Sequence, residues 1–139
     1  MGAQTVLTGP AALAAAVGHD LGHTRWVDVT PEQLAHYVEA TGDMPDDDSV
    51  PPLLLLSLTN LFMPQLVEVR GVSMGVNYGT GEVRFPAPVA LGTRIRGRAR
   101  LVACDDIKGG VQTTIRITIE AEGTSDAACV VDALSRWIV

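Results

Sequence analysis

The chain reads RIRGRARLVACDDIKGGVQTTIRITIEA from Arg94 to Ala121. Arginines alternate with small or apolar residues in its first part, and apolar residues alternate with polar ones from Val111 onward. A period of two places successive side chains on opposite faces of a β-strand. Lys108-Gly109-Gly110 separates the two parts and has the composition of a tight turn. The stretch therefore predicts an antiparallel hairpin with one apolar face and one polar face.

Further strands are expected on both sides of this hairpin. Trp26, Val27 and Val29 suggest a first strand that ends at Thr30. Residues 72–78 and 82–85 flank Gly79-Thr80-Gly81, which is predicted to be either a turn or a β-bulge. Residues 128–139 have the composition of a last strand.

Three helices are predicted before the hairpin. The first is Ala-rich and runs from Gly9 to Val17. Thr30-Pro31-Glu32-Gln33 has the residues of a capping box with proline at the first helical position, and Gly42 ends the helix that begins there. The third helix is the most apolar and extends from about Pro52 to Val69.

The architecture follows from the need to bury the apolar face of the sheet. The helix from Pro52 is the natural cover, because it is apolar over most of its length. A chain of 139 residues with 47% hydrophobic content is large enough for one domain with its own core, spanning residues 1–139. We predict the α+β class, with a long antiparallel curved sheet wrapped around a central apolar helix.

Composition and charge narrow the classes of partner. A net charge of −6 argues against nucleic acid as the main partner. No basic region precedes the Ala-rich N-terminal segment, so a signal peptide is not expected. The apolar run from Val50 to Val67 is interrupted by prolines and polar residues, which favours a buried helix over a membrane span. Cys104 and Cys129 have no metal-ligand spacing and are predicted to be core residues of a cytoplasmic protein without metal or cofactor.

Three blocks of the chain resemble the MaoC-like hydratases, the (R)-specific enoyl-CoA hydratase group. Ala40-Thr41-Gly42-Asp43 resembles the opening of their signature, and Leu56-Ser57-Leu58 matches their central helix. The most specific block begins at Gly75-Val76-Asn77-Tyr78-Gly79 and continues through residues 83–89 and 92–96. The resemblance covers nearly the whole chain. It implies a hotdog fold, a homodimer, and a hydrophobic substrate linked to coenzyme A or a carrier protein.

The same resemblance implies catalytic groups that this chain keeps only in part. Such enzymes hold a water molecule between an Asp and a His five residues later, and a glycine N–H at the start of the central helix polarises the thioester carbonyl. Asp43 matches the Asp, but Asp48 stands where the His is expected. In these enzymes the glycine belongs to a His-Gly pair, which corresponds to Pro51-Pro52 in this chain, and proline has no N–H to donate. The segment that carries the His is interpreted as deleted.

Asp46-Asp47-Asp48-Ser49 occupies that place, directly before the apolar helix. One interpretation is capping, in which these side chains accept hydrogen bonds from free N–H groups and complement the helix dipole. In the other, Asp43 and a neighbouring acid are paired carboxylates at the mouth of a pocket. The candidate catalytic residues are therefore Asp43, Asp47 and Asp48.

Five further residues are candidates for contacting the substrate, namely Pro52, Leu53, Asn77, Tyr78 and Arg96. Pro52 and Leu53 begin the apolar helix, which is expected to line a tunnel. Asn77 and Tyr78 lie in a block that the resemblance places near the dimer core, where structural hydrogen bonding is the alternative.

Arg96 belongs to an arginine stripe on the hairpin, formed by Arg94, Arg96, Arg98 and Arg100. In one interpretation the stripe binds the phosphates of coenzyme A or the acidic face of a carrier protein. In the second interpretation it is a solvated face of the sheet. In the second case Glu120 and Glu122 on the neighbouring strand balance its charge.

Three functions remain open at this point. The favoured one is a divergent, lyase-like enzyme that uses the surviving Asp43 for dehydration, isomerisation or cyclisation of an acyl thioester or a polyketide-like substrate. The alternative is a non-catalytic subunit or binding module that partners another hotdog hydratase. The third is an ordinary (R)-specific enoyl-CoA hydratase. Asp43 and an apolar tunnel are more than a scaffold needs, which favours the first.

Overall fold

Residues 4–139, which the computed structural model describes, form three α-helices and seven β-strands. In chain order these are β1 (Thr5–Thr8), α1 (Gly9–Ala15), β2 (Asp20–His23), α2 (Pro31–Thr41), α3 (Pro52–Leu66), β3 (Val67–Arg70), β4 (Met74–Arg84), β5 (Ile95–Ile107), β6 (Gly110–Ala121) and β7 (Ala127–Ile138).

Five strands make one antiparallel sheet in the order β2-β5-β6-β7-β4. The predicted hairpin is confirmed, since β5 pairs with β6 from Ile95 opposite Ala121 to Ile107 opposite Gly110. Burial along β6 alternates residue by residue, with Val111 and Ile117 among the buried positions. The period of two in the sequence therefore corresponds to one face turned toward the core.

Helix α3 covers the apolar face of this sheet, as predicted. Its Phe62 side chain is fully buried and contacts strand β5 at Gly97. A Cβ atom at Gly97 would come within 2.7 Å of the Phe62 Cβ. Glycine at this position therefore lets the helix approach the sheet closely.

We expect Gly97→Ala to lower the free energy of unfolding by about 1–3 kcal/mol, because the added methyl group overpacks a fully buried contact. Denaturant unfolding measures the loss. Gly79→Ala is the matched control, since no heavy atom lies within 4 Å of a Cβ built there. Equal stabilities of the two variants would contradict the close contact between α3 and β5.

Helix α2 has the ends that its sequence predicts. The Thr30 hydroxyl accepts a hydrogen bond from the Gln33 N–H at 3.1 Å, and the Thr30 N–H donates to the Gln33 Oε1 at 2.9 Å. At the other end Gly42 is left-handed, with φ 70°, a conformation that glycine adopts without steric cost. The capped helix fixes the point at which Asp43 leaves it.

Two segments differ from the sequence prediction. Trp26 to Thr30 is not a strand; Val27 makes only an isolated bridge to Ile95, and the strand that pairs with β5 comes earlier, as β2. Helix α3 ends at Leu66 rather than Val69, because Val67 becomes extended and starts β3, which pairs in parallel with β1. Apolar residues continue through this change, so the sequence pattern does not mark it.

Strand β4 lies at one edge of the sheet and is exposed at every position except Val83. It is a single strand whose register against β7 shifts between Asn77 and Gly79 and again between Thr80 and Val83. Of the two alternatives predicted for Gly79-Thr80-Gly81, the bulge is confirmed.

No helix within residues 4–139 has the length and apolar character that crossing a membrane requires.

Candidate functional site

Asp43 is held at the end of helix α2 by its own neighbours. The Tyr37 hydroxyl donates to the Asp43 Oδ2 at 2.5 Å. The Asp43 N–H donates to the Thr41 Oγ1 at 3.1 Å, and the Thr41 hydroxyl donates to the Tyr37 carbonyl at 2.8 Å. The left-handed Gly42 turns the chain so that Asp43 faces back toward Tyr37. The carboxylate is exposed in this single chain, but its orientation is fixed.

Tyr37 was not among the residues singled out from the sequence. Its half-buried ring packs against the core cluster that contains Val50, Leu54 and Leu55. Burial raises the pKa of Tyr37 above its usual value, and the hydrogen bond to Asp43 and the charge of that carboxylate raise it further. Tyr37 is therefore protonated at neutral pH and acts as a hydrogen-bond donor. The sequence feature that could have identified Tyr37 is its position, five residues before a glycine that ends the helix and is followed by an acid.

The acidic loop after Asp43 is exposed and does not cap helix α3. Asp47 accepts hydrogen bonds from Ser49, from its N–H at 3.1 Å and from its hydroxyl. The N-cap of α3 is Pro51, which makes no side-chain capping bond. The capping prediction is thus wrong for α3; Asp47 stabilises a turn within the loop instead. Within residues 4–139, Asp43 has no hydrogen bond to Asp47 or Asp48 that would define a carboxylate pair.

The loop is tied to the segment before β5. The Leu91 N–H donates to the Asp48 carbonyl at 2.8 Å, and the Val50 N–H donates to the Val89 carbonyl at 2.8 Å. The position of Asp48 is therefore set by its backbone, while its carboxylate points into solvent.

The start of helix α3 presents two prolines and then an exposed leucine. The Pro51 carbonyl accepts from the N–H groups of Leu54 and Leu55, at 3.0 and 3.2 Å. Pro52 has no N–H, so the first backbone N–H of the helix belongs to Leu53, whose side chain is 55% exposed. Neither Pro52 nor Leu53 lines the cavities beside the helix that are described next.

A groove runs along α3, between the helix and strands β4 and β7. It consists of two cavities of about 370 and 290 Å³ that share Asn60, Met63 and Asn77. The Asn77 amide donates to the Asn60 Oδ1 at 3.4 Å, a long hydrogen bond across the groove. Its remaining lining is mainly apolar and includes Leu56 and Trp137. Asn77 therefore lies in the groove, and its contact with a substrate stays a prediction.

Tyr78 does not line this groove. Its ring lies under the Arg136 guanidinium, 3.5 Å from the ring centroid. The arrangement is a cation–π contact on the surface. Among the residues predicted to contact the substrate, only Asn77 lies in the groove, and the binding roles of all five stay predictions.

Three arginines of the stripe are paired with acids on or directly after strand β6. Arg94 contacts Glu122 at 2.5 Å, and Arg96 and Arg98 contact Glu120 at 3.0 and 3.4 Å. The Arg96 guanidinium also lies 4.4 Å from the centroid of the Trp26 ring. This geometry favours the balanced sheet face over a phosphate site, and substrate binding by Arg96 stays a prediction.

We expect Arg96→Ala to lower the free energy of unfolding by about 1 kcal/mol, since it removes a half-buried salt bridge and a cation–π contact. Arg98→Ala is the matched control on the same strand, where the arginine side chain is 47% exposed, and its loss should be smaller. If Arg96→Ala instead leaves stability unchanged and raises the KM for a thioester several-fold, Arg96 binds substrate.

Known proteins resemble this chain in sequence and in fold. No family model matches the chain. The chain is 36% identical over 141 residues to 3-hydroxyacyl-thioester dehydratase Z of Mycobacterium tuberculosis, covering 91% of this chain and 93% of that protein.

Solved structures are similar in fold at low identity. A MaoC-like dehydratase from Rhodospirillum rubrum has a TM-score of 0.66 at 14% identity, covering 88% of this chain and 92% of that one. The ChsH1-ChsH2 complex of Mycobacterium tuberculosis has a TM-score of 0.66 at 15% identity, covering 87% and 97%. The predicted α+β hotdog fold is confirmed.

Proposed function

The chain belongs to the MaoC-like hotdog dehydratases, and from this membership we propose that it is a divergent dehydratase or hydratase of hydrophobic acyl thioesters. Its relative in Mycobacterium tuberculosis is named for 3-hydroxyacyl thioesters, and we assign this substrate class to the present chain. We further propose that residues 1–139 are one such domain and that Asp43 is its acid/base group.

The observation that carries this proposal is the fixed orientation of the Asp43 carboxylate. The left-handed Gly42 and the hydrogen bonds to Tyr37 and Thr41 all act on one acid. An acid that served only solubility would need none of these contacts. Groups that do acid/base work must be held in the productive geometry, which such a network provides.

In the dehydration direction, a base removes the proton from the α-carbon of a 3-hydroxyacyl thioester. The electron pair of that C–H bond forms the α,β double bond, and the β-hydroxyl leaves as water after it accepts a proton. Asp43 takes the α-proton in this scheme and returns a proton to the leaving hydroxyl. Asp47 and Asp48 remain candidates for the second carboxylate, with Asp43 as the better positioned acid.

The thioester carbonyl gains negative charge during this reaction and needs a donor. Pro52 offers none, so we propose that the Leu53 N–H at the positive end of helix α3 takes this role. The next donors along the helix, Leu54 and Leu55, already bond the Pro51 carbonyl.

The groove beside α3 supports a hydrophobic acyl chain as the bound group. Met63, Val67 and Trp137 provide apolar walls, while the Asn60 and Asn77 amides lie between the two cavities. An amide pair in an apolar groove suits a chain that carries an oxygen substituent, which favours a polyketide-like acyl group.

The exposed edge strand β4 supports a dimer. Unpaired strand edges are normally covered in native proteins, and Met74, Val76 and Tyr78 on β4 are exposed large residues. We propose that a second copy covers β4 and the adjoining face of α3.

Cys104 and Cys129 are free thiols, and burial raises the pKa of the Cys129 thiol to about 11. Unreactive free thiols agree with the proposed cytoplasmic location.

One set of observations favours a second function, that of a non-catalytic subunit beside another hotdog chain. The acids at positions 46–48 are exposed, and the start of α3 has proline at both positions where an N–H is wanted. One neighbour in fold, the ChsH1-ChsH2 complex, is an assembly of two named partners. In this case β4 would be covered by a different chain.

The two functions are separated by incubating the purified chain with 3-hydroxyacyl-CoA and trans-2-enoyl-CoA esters of several chain lengths. The enzyme proposal expects conversion by the wild-type chain and its loss in Asp43→Asn. The subunit proposal expects conversion only after a second hotdog chain is added.

A further inference from the structure

We propose that Tyr37 is a positioning residue for Asp43, holding the carboxylate in the orientation in which it meets the substrate. The inference rests on the proposed function, in which Asp43 does acid/base work. Tyr37 has no role in the resemblance to the family and was found from its contact with Asp43.

The contact is a direct hydrogen bond between two side chains. The Tyr37 hydroxyl donates to the Asp43 carboxylate, and the two oxygen atoms lie 2.5 Å apart. The bond engages Oδ2, and within residues 4–139 no hydrogen bond is made to Oδ1. One carboxylate oxygen is therefore anchored, while the other is available to a ligand.

Both ends of the contact are fixed to the fold. The Tyr37 ring packs on the core cluster that includes Val50, Leu54 and Phe62. Thr41 closes a ring of hydrogen bonds with Tyr37 and Asp43 around the left-handed Gly42. The anchored acid is thereby linked to the core of the domain.

A role in packing alone does not need the hydroxyl group. A phenylalanine ring would fill the same half-buried place, so the hydroxyl is the part of Tyr37 that Asp43 uses. This makes Tyr37→Phe a clean test, because it keeps the ring and removes the donor. Circular dichroism and the unfolding midpoint should match those of the wild type.

Titration of the tyrosine tests the contact without any turnover. The chain has two tyrosines, so a Tyr78→Phe background leaves Tyr37 as the only one that absorbs as tyrosinate. The negative charge of Asp43 helps to raise the pKa of Tyr37, so Asp43→Asn in this background should lower that pKa. Tyr37 stays buried to the same extent in this variant, so its pKa should return only partly toward the usual value for tyrosine. Glu39→Gln is the control from the same helix and should leave it unchanged. An unchanged Tyr37 pKa in Asp43→Asn overturns the inference.

Kinetics test the positioning role. We expect Tyr37→Phe to lower kcat by about 10- to 100-fold, since misplacement of a reacting group is costly. The KM should stay unchanged, because Tyr37 does not touch the substrate.

If Asp43→Asn abolishes turnover while Tyr37→Phe retains full kcat, the inference fails and the proposed function stands. If Asp43→Asn is as active as the wild type, or the wild type is inactive, the proposed function fails, and the role of Tyr37 in it fails too. In that case the titration still decides whether the contact exists.

Discussion

Replacing Phe62 by alanine is expected to lower the free energy of unfolding by about 3–5 kcal/mol. The side chain is completely buried and lies between helix α3 and strand β5, against Gly97. Neighbouring groups have little room to close the resulting cavity, because the backbone of β5 is already in contact with the ring. The loss would be a large part of the stability of a domain of this size.

Denaturant unfolding at fixed protein concentration measures this effect. Leu61→Ala is the matched control, because Leu61 is the adjacent residue of α3 and its side chain is 47% exposed. Its expected loss is below about 1 kcal/mol. If both variants lose the same stability, α3 does not cover the sheet through its Phe62 face.

The second large effect concerns activity. We expect Asp43→Asn to lower kcat/KM by about 10²- to 10⁴-fold, the range that acid/base groups contribute. Asparagine has nearly the same shape and can still accept from Tyr37, so the fold should be retained. What the variant loses is the group that takes and returns the proton.

Glu39→Gln is the control for this experiment. Glu39 is an exposed acid on the same helix, one turn before Asp43, and its replacement removes the same charge. Turnover should stay at the wild-type level. Equal losses in the two variants would mean that net charge, rather than the Asp43 carboxylate, governs the rate.

The parts of the fold that the sequence predicts are those with a local physical signal. The β5–β6 hairpin has a strict period of two, and α2 has a capping box and a terminal glycine. The pairing of β1 with β3 has no such signal, because each strand has four residues and the partners lie far apart in the chain. The end of α3 was also missed, since apolar residues continue from Leu66 into Val67 without a break.

The contacts of the candidate site could not be predicted from the sequence, and the catalytic role of Asp43 stays a prediction. Asp43 was identified from its motif, yet its bond to Tyr37 depends on the direction in which the left-handed Gly42 sends the chain. The role of the acidic loop depends in the same way on geometry. Asp47 bonds Ser49, and no side chain caps helix α3.

The most direct test of the account is the interconversion of trans-2-enoyl-CoA and 3-hydroxyacyl-CoA by the purified chain alone, followed by enoyl absorbance and confirmed by mass spectrometry. We predict conversion in both directions by the wild type, at rates that depend on Asp43. The proposal that this chain is an enzyme using Asp43 would be contradicted if the pure protein converts no acyl-CoA of any length. The contradiction would be complete if a second hotdog protein restored conversion whether or not Asp43 is mutated.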